Sequence, residues 1–332
     1  MHALPFALAL GSAAILAAPL LRALSEGGHL KQNFRGRELP FPFGVLIPAA
    51  ALVALVPLTL LARLASAEVF HPETLPIAAY ALGVLALGLI DDALGGAGAR
   101  TGAEAEVGSS SARAHADAER VGGGGRGEQL ALRPPSASGE PSSREAADVR
   151  GPEQPPRGWQ GHGAAALRRE WSTGALKGAG SLGLALFAVS FLQRSDARWL
   201  LAAAVVVLAT NLFNLLDLRP GRAIKAFVLL GAGLLIGSGD PRPLWAVGLF
   251  AAPALVAGSY DVRERAMLGD TGASLVGALA GLWLVLTLSS AGQIIALALL
   301  LVLTIYSEFR SLSALIERTP WLRGLDSWGR PS

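Results

Sequence analysis

The sequence predicts an all-α fold, a polytopic membrane helix bundle of about nine transmembrane helices. Three observations carry that reading. Only 16% of the 332 residues are charged, where a soluble chain carries about a quarter. Hydrophobic residues make up 52% and mean hydropathy is +0.46. Apolar runs long enough to cross a hydrocarbon layer recur along most of the chain. There is no Cys, which removes disulfide and thiolate chemistry from consideration.

The spans are expected near residues 3–21, 44–64, 75–90, 173–192, 199–216, 223–237, 243–258, 272–289 and 292–308. The first lacks a positively charged start and many spans follow it, so it reads as a retained helix and not a signal peptide. Residues 75–90 and 223–237 are short for a full crossing, so their flanks should lie at the interface. Orientation follows from Lys and Arg. Outside a long insert, thirteen of them fall in one set of connections and four in the other, namely Arg63, Arg194, Arg198 and Arg242. The richer set should be cytoplasmic, with the N-terminus outside and the C-terminus inside.

Four regions follow. Residues 1–94 hold the first three helices and the first cytoplasmic loop, 95–172 an insert, 173–310 the remaining six helices, and 311–332 a cytoplasmic tail. The insert differs from the rest in composition. Gly122 to Gly125, Pro134-Pro135 and Pro155-Pro156 sit among scattered Arg and Glu without apolar periodicity. Such a segment cannot bury enough surface to offset its ordering entropy and is expected to be disordered. No nucleic-acid module is present, and no nucleic-acid partner is expected.

Three polar clusters sit at span ends and, if the spans alternate, on one face. A carboxylate beside hydrocarbon is costly and tends to serve function or face water. Asp91-Asp92 closes the third span, where the helix dipole disfavours negative charge and two adjacent anions repel. That pair needs a cation or a proton to relieve it, unless both are simply solvated in a loop. Asn211, Asn214 and Asp217 are three residues apart at the end of the fifth span, so one helical stripe presents two amides and a carboxylate. Such oxygens suit Mg²⁺, which keeps waters and takes one or two protein ligands plus substrate phosphates; a capped helix end is the plainer reading. Asp270 precedes Thr271-Gly272-Ala273-Ser274 and reads as an N-cap at a helix start able to receive phosphate oxygens. Lys31 and Lys177 stand out among the cations; most others need only the orientation rule and snorkelling to explain them.

The ordered set of segments resembles a known family. Lys31-Gln32-Asn33-Phe34-Arg35-Gly36, Gly88-Leu89-Ile90-Asp91-Asp92, Gly174-Ala175-Leu176-Lys177, Asn211 through Asp217, and Met267-Leu268-Gly269-Asp270-Thr271-Gly272 are similar to motifs of the polyprenyl-phosphate N-acetylhexosamine-1-phosphate transferases. That family includes phospho-N-acetylmuramoyl-pentapeptide transferase and undecaprenyl-phosphate N-acetylglucosamine-1-phosphate transferase. The resemblance implies an enzyme of the plasma membrane with a cytoplasmic site. Its reaction moves a sugar 1-phosphate from a UDP-sugar to polyprenyl (undecaprenyl) phosphate, releasing UMP, in cell-wall or surface-polysaccharide assembly. It implies Mg²⁺, with Mn²⁺ as an alternative ion, held by Asn214 and Asp270. Asp91, Asp92 and Asp217 would act as proton acceptor or substrate organisers, and Lys31, Lys177 and Asn211 would meet substrate. Membrane lipids are implied partners, and a homodimer is left open.

The chain departs from that pattern in three places. Leu218-Arg219-Pro220-Gly221 follows Asp217 where the family carries a further acid. None of the five His residues lies in the last cytoplasmic loop, where the family has a His-rich motif. No tenth span follows. An altered donor or an inactive relative therefore stands beside the transferase, as do another Mg²⁺-dependent membrane transferase and, from a different class, a transporter.

Overall fold

The computed structural model describes residues 2–66, 68–93, 173–192 and 195–331, with the side chains of 173–177 left out. The expected disordered insert at 95–172 lies outside the described residues. Helices stand at all nine expected places: α1 (Leu4–Glu26), α2 (Leu46–Leu64), α3 (Thr74–Ala93), α4 (Thr173–Ser190), α5 (Asp196–Leu216), α6 (Arg222–Ser238), α7 (Arg242–Val262), α8 (Gly269–Thr287) and α9 (Ser290–Phe309). Among the described residues seven of them, α1, α2, α3, α5, α7, α8 and α9, are long and apolar enough to cross a membrane. Helix α6, with 17 residues, rises only about 26 Å against roughly 30 Å of hydrocarbon.

Helix α8 is the axis of the bundle. From Thr271 to Val285 every residue is buried, and α5, α6 and α7 pack along it. Gly277 and Gly281, one turn apart, let α5 come close: a Cβ on either would sit 2.7 Å from the Cα of Thr210 or Val206. Small residues at this spacing serve helix packing where surrounding lipid is as apolar as the side chains, so close backbone approach replaces hydrophobic drive. Helices α1 and α2 pack on α7, and α9 packs on α5. Contacts of Gly83 with Leu184 and of Gly180 with Leu87 set α3 against α4. The outer faces are apolar and open, as at Ile15, Leu64 and Ile236, which are 74 to 84% exposed.

Two regions outside the nine spans carry structure of their own. The loop after α1 forms a small antiparallel hairpin of β1 (Leu30–Gln32) and β2 (Glu38–Pro40). Its tip is turned by Asn33, whose Oδ1 accepts from the backbone N–H of Arg35 and Arg37, a turn chemistry typical of Asn. The backbone then runs beside residues 267–268, with Met267 donating to Pro40 and Phe43 and Gly44 donating to Met267 and Leu268. The tail at 311–332 folds into α10 (Leu312–Arg318) and α11 (Pro320–Ser327). Asp326 holds it down. Arg222 grips both carboxylate oxygens at 2.8 and 3.0 Å, and Arg330 does the same at 2.7 and 3.1 Å. Burial alone would raise the Asp326 carboxyl, but its bond to Arg222 and the charges of Arg330 and Arg222 outweigh that and hold it low. Arg222 pairs here across 104 residues with Asp326, which Arg330 also holds from four residues away, and a pattern of polar letters does not reveal the distant partner.

Candidate functional site

The three clusters meet at one end of the bundle, around the start of α8. Helix α3 runs to Ala93, so Asp91 and Asp92 lie in its last turn and not beyond it. Gly88, one turn earlier, touches α8: a Cβ there would lie 2.7 Å from the Cα of Thr271 and 2.8 Å from the carbonyl oxygen of Asp270. That proximity delivers the Asp92 carboxylate to the α8 N-terminus. It accepts from the backbone N–H of Asp270 at 3.1 Å, the N–H of Thr271 at 2.9 Å and the Thr271 hydroxyl at 2.6 Å.

This geometry corrects the reading of Asp270 as an N-cap. Helix α8 begins at Gly269, Asp270 sits inside its first turn, and the capping oxygens come from Asp92, 178 residues away. Gly269 takes φ +73°, a conformation natural to Gly, and a Cβ there would lie 2.9 Å from Asp92 Oδ2. The unfavourable carboxylate at the α3 C-terminus thus finds relief in the positive end of α8.

The remaining residues gather nearby. Asn214 Oδ1 accepts a long 3.3 Å hydrogen bond from Ser274, one turn into α8. Asn211 sits one turn earlier on α5, with its buried Nδ2 lacking a hydrogen-bond partner among the described residues. Asp217 follows the last turn of α5 and is half-buried. Desolvation pushes its carboxyl well above the usual range; repulsion from Asp261, Asp270 and Asp92 adds to this, and Lys31 pulls the other way. Lys31 lies on β1 with its ammonium 4.2 Å from the centre of the Phe41 ring. Asp91 is half-buried beside Asp92. The backbone of Lys177 belongs to α4, but its side chain lies outside the described residues.

Two buried acids support this end and are not apparent in the sequence patterns. Asp261, in the last turn of α7, accepts from Gly221 N–H at 2.6 Å and from Leu268 N–H at 3.4 Å, tying the turn after Asp217 to the loop before α8. A carboxylate continuing the apolar run 243–258 was the signal that could have found it. Glu264 is 1% exposed, with φ +51°. It faces Asn33 at 3.4 Å and Arg35 and Arg37 at 3.6 Å each, which clamps the hairpin carrying Lys31. Arg330 also donates to the carbonyl of Pro220 at 2.8 Å, so the tail braces the same turn.

In donor chemistry the site suits a hard cation: carboxylate and amide oxygens predominate, and several acids gather around Asp217, with Lys31 pulling against them. Among the described residues no three His, Asp or Glu stand close enough to hold a metal by themselves. An ion taking one or two protein oxygens and completing its shell with water and phosphate fits that arrangement. An apolar recess of about 340 Å³, lined by Leu52, Leu55, Phe70, Leu75 and Phe250 among others, opens between α2, α3 and α7 away from these acids. No protein-family model, curated protein or solved structure matches the chain.

Proposed function

We propose that this protein is a membrane-embedded, Mg²⁺-dependent phosphotransferase that transfers a sugar 1-phosphate from a UDP-sugar to polyprenyl phosphate and releases UMP. In this reading all nine helices cross the plasma membrane and the acid-lined end faces the cytoplasm, as the Lys and Arg distribution favours. The observation that carries the proposal is the meeting of Asp92, Asn214, Asp217, Asp270 and Lys31, drawn from four separate segments, at one helix start. A UDP-N-acetylhexosamine is the expected donor, through the resemblance.

The chemistry asks little of a base, because a lipid phosphate is already largely ionised at neutral pH. An oxygen of the lipid phosphate attacks the sugar-bearing phosphorus of the donor and stays bonded to it; the bond from that phosphorus to the bridging oxygen breaks, and UMP leaves carrying the bridging oxygen. The barrier lies in bringing two anions together in line. Mg²⁺, held by Asn214 and Asp270, would supply positive charge to the diphosphate. Lys31 draws phosphate in, and Lys177 is assigned the same role. Asn211 offers its Nδ2–H to a substrate oxygen. Asp92 fixes the first turn of α8 and with it Asp270. Asp217 and Asp91 order the substrate or take up a proton.

A second reading, an altered-donor or inactive relative, is favoured by one specific feature: the first N–H groups of α8 are already occupied by Asp92, so they do not await a phosphate. The deciding experiment is UMP release by purified protein from UDP-N-acetylglucosamine, undecaprenyl phosphate and Mg²⁺. Release that requires both the lipid phosphate and the ion supports the transferase. No release from any UDP-sugar by folded protein refutes it and leaves the inactive relative.

A further inference from the structure

We infer that the C-terminal helix pair lies on the membrane surface and inserts Trp321 and Trp328 into the headgroup layer of an anionic leaflet. The inference rests on the chain being membrane-embedded and not on the transferase reaction. Helix α9 is the apolar span that precedes it, and its outward residues Ile294, Ile295, Leu299 and Val302 are each about 60% exposed. The span ends at Phe309, 74% exposed, and α10 begins only three residues later. The pair therefore starts at the level where the apolar face stops.

Trp321 and Trp328 are 71 and 73% exposed. Trp321 stands in the first turn of α11 and Trp328 directly follows its last residue; seven residues, about two helical turns, separate them, which starts both side chains from one flank. The opposite flank carries Asp326, bound to Arg222 and Arg330. Lys225 adds a further hold through the carbonyls of Leu325 and Asp326. The helix is thus fixed in rotation with its indoles outward. An indole has an apolar body and one N–H, which suits the boundary between water and acyl chains and neither bulk phase. The charge on this segment matches anionic lipid: Arg310, Arg318 and Arg323 are exposed, and the exposed acid Glu317 pairs with Arg219. Basic residues beside a span are drawn to anionic headgroups, and a short amphipathic helix with aromatic and basic flanks lies in the interface plane.

The chain has no native Cys, so single-site spin labelling of the full-length protein tests the idea directly. Labels at Trp321→Cys, Trp328→Cys, Ser327→Cys and Leu299→Cys are read in vesicles of phosphatidylcholine with phosphatidylglycerol. The expected result is hydrocarbon depth at 299, headgroup depth at 321 and 328 with oxygen collisions several-fold above those of a water-soluble nickel chelate, and water exposure at 327. In phosphatidylcholine alone, 321 and 328 should move outward. Water exposure at 321 and 328 equal to that at 327, with 299 still in hydrocarbon, overturns the inference and leaves the membrane bundle intact. Shielding of 321 and 328 from both reagents would mean a protein contact and overturns it as well. Unchanged depth without anionic lipid overturns the headgroup selectivity.

Discussion

Replacing Gly88 by Ala tests whether close approach of α3 to α8 builds the site. The new Cβ would lie 2.7 Å from Thr271 Cα, 2.8 Å from the Asp270 carbonyl oxygen and 2.9 Å from Thr271 N. Carbon atoms pack best near 3.5 Å or more, so the two helices must part by about 0.8 Å. Taken along the Asp92 hydrogen bonds, now 2.6 to 3.1 Å, that shift moves them to the edge of bonding or past it. Overpacking of this kind costs about 1–3 kcal/mol, and weakening a helix cap adds about 1 kcal/mol. Ala is the better helix former by about 0.5–1 kcal/mol. Strain wins, for a net loss of about 1–3 kcal/mol. Gly233→Ala on α6, where nothing lies within 4 Å, keeps only the helical gain. Thermal unfolding in one detergent should therefore move the two variants in opposite directions. Gly88→Ala should fall by roughly 2–10 °C, at a few degrees per kcal/mol, and lose UMP release as Asp92 leaves its place. Gly88→Ala melting with or above wild type would refute the reasoning, because the α3–α8 contact would then not be tight.

The remaining predictions address single groups. Asp270→Asn should abolish turnover with melting little changed; full activity would remove Asp270 from the site. Asp217 has a raised carboxyl pKa in the fold, so the folded state binds its proton more tightly than the unfolded chain does. Its stability contribution is present in acid and is lost as pH rises from the ordinary carboxylate range through the raised value. Asp217→Asn should thus melt higher than wild type at neutral pH, with the gap closing towards pH 4; parallel pH profiles would contradict this. Glu264→Gln removes the charge facing Arg35 and Arg37, pairs that are partly exposed and worth under about 1 kcal/mol each. Trypsin should cut after these arginines several-fold faster, and an unchanged rate would mean that the hairpin is held elsewhere. Asp326→Ala leaves two guanidinium groups facing each other in a buried position, a local loss of about 3–5 kcal/mol. Cleavage at Arg323 should rise while the rest of the bundle stays resistant, and equal resistance would show that the tail does not depend on this acid.

The helices were legible in the sequence because hydrocarbon leaves no other partner for backbone groups, so an apolar run of sufficient length is a helix wherever it packs. The location of Asp92, Asn214, Asp217 and Asp270 at span ends was legible for a related reason: charge is expelled from the apolar stretch and collects at its edges. The fold supplied what the edges then do. Helices apolar all round carry no face preference in their periodicity, so nothing in the pattern marked α8 as the central helix or α9 as peripheral. Those positions follow from small residues such as Gly88, Gly277 and Gly281, whose worth depends on what stands opposite. The cap on α8 comes from Asp92, across 178 residues, and the grip on the tail from Arg222 and Asp326, across 104 residues. Local sequence specifies caps only from neighbours in the chain, whereas an unsatisfied helix end takes any oxygen that packing presents. Composition and hydropathy thus determined the elements and which residues gather at their ends; the tertiary structure alone decided which acids, like Asp261, Glu264 and Asp326, hold the scaffold by pairing with distant groups, because pairing among charges depends on three-dimensional proximity.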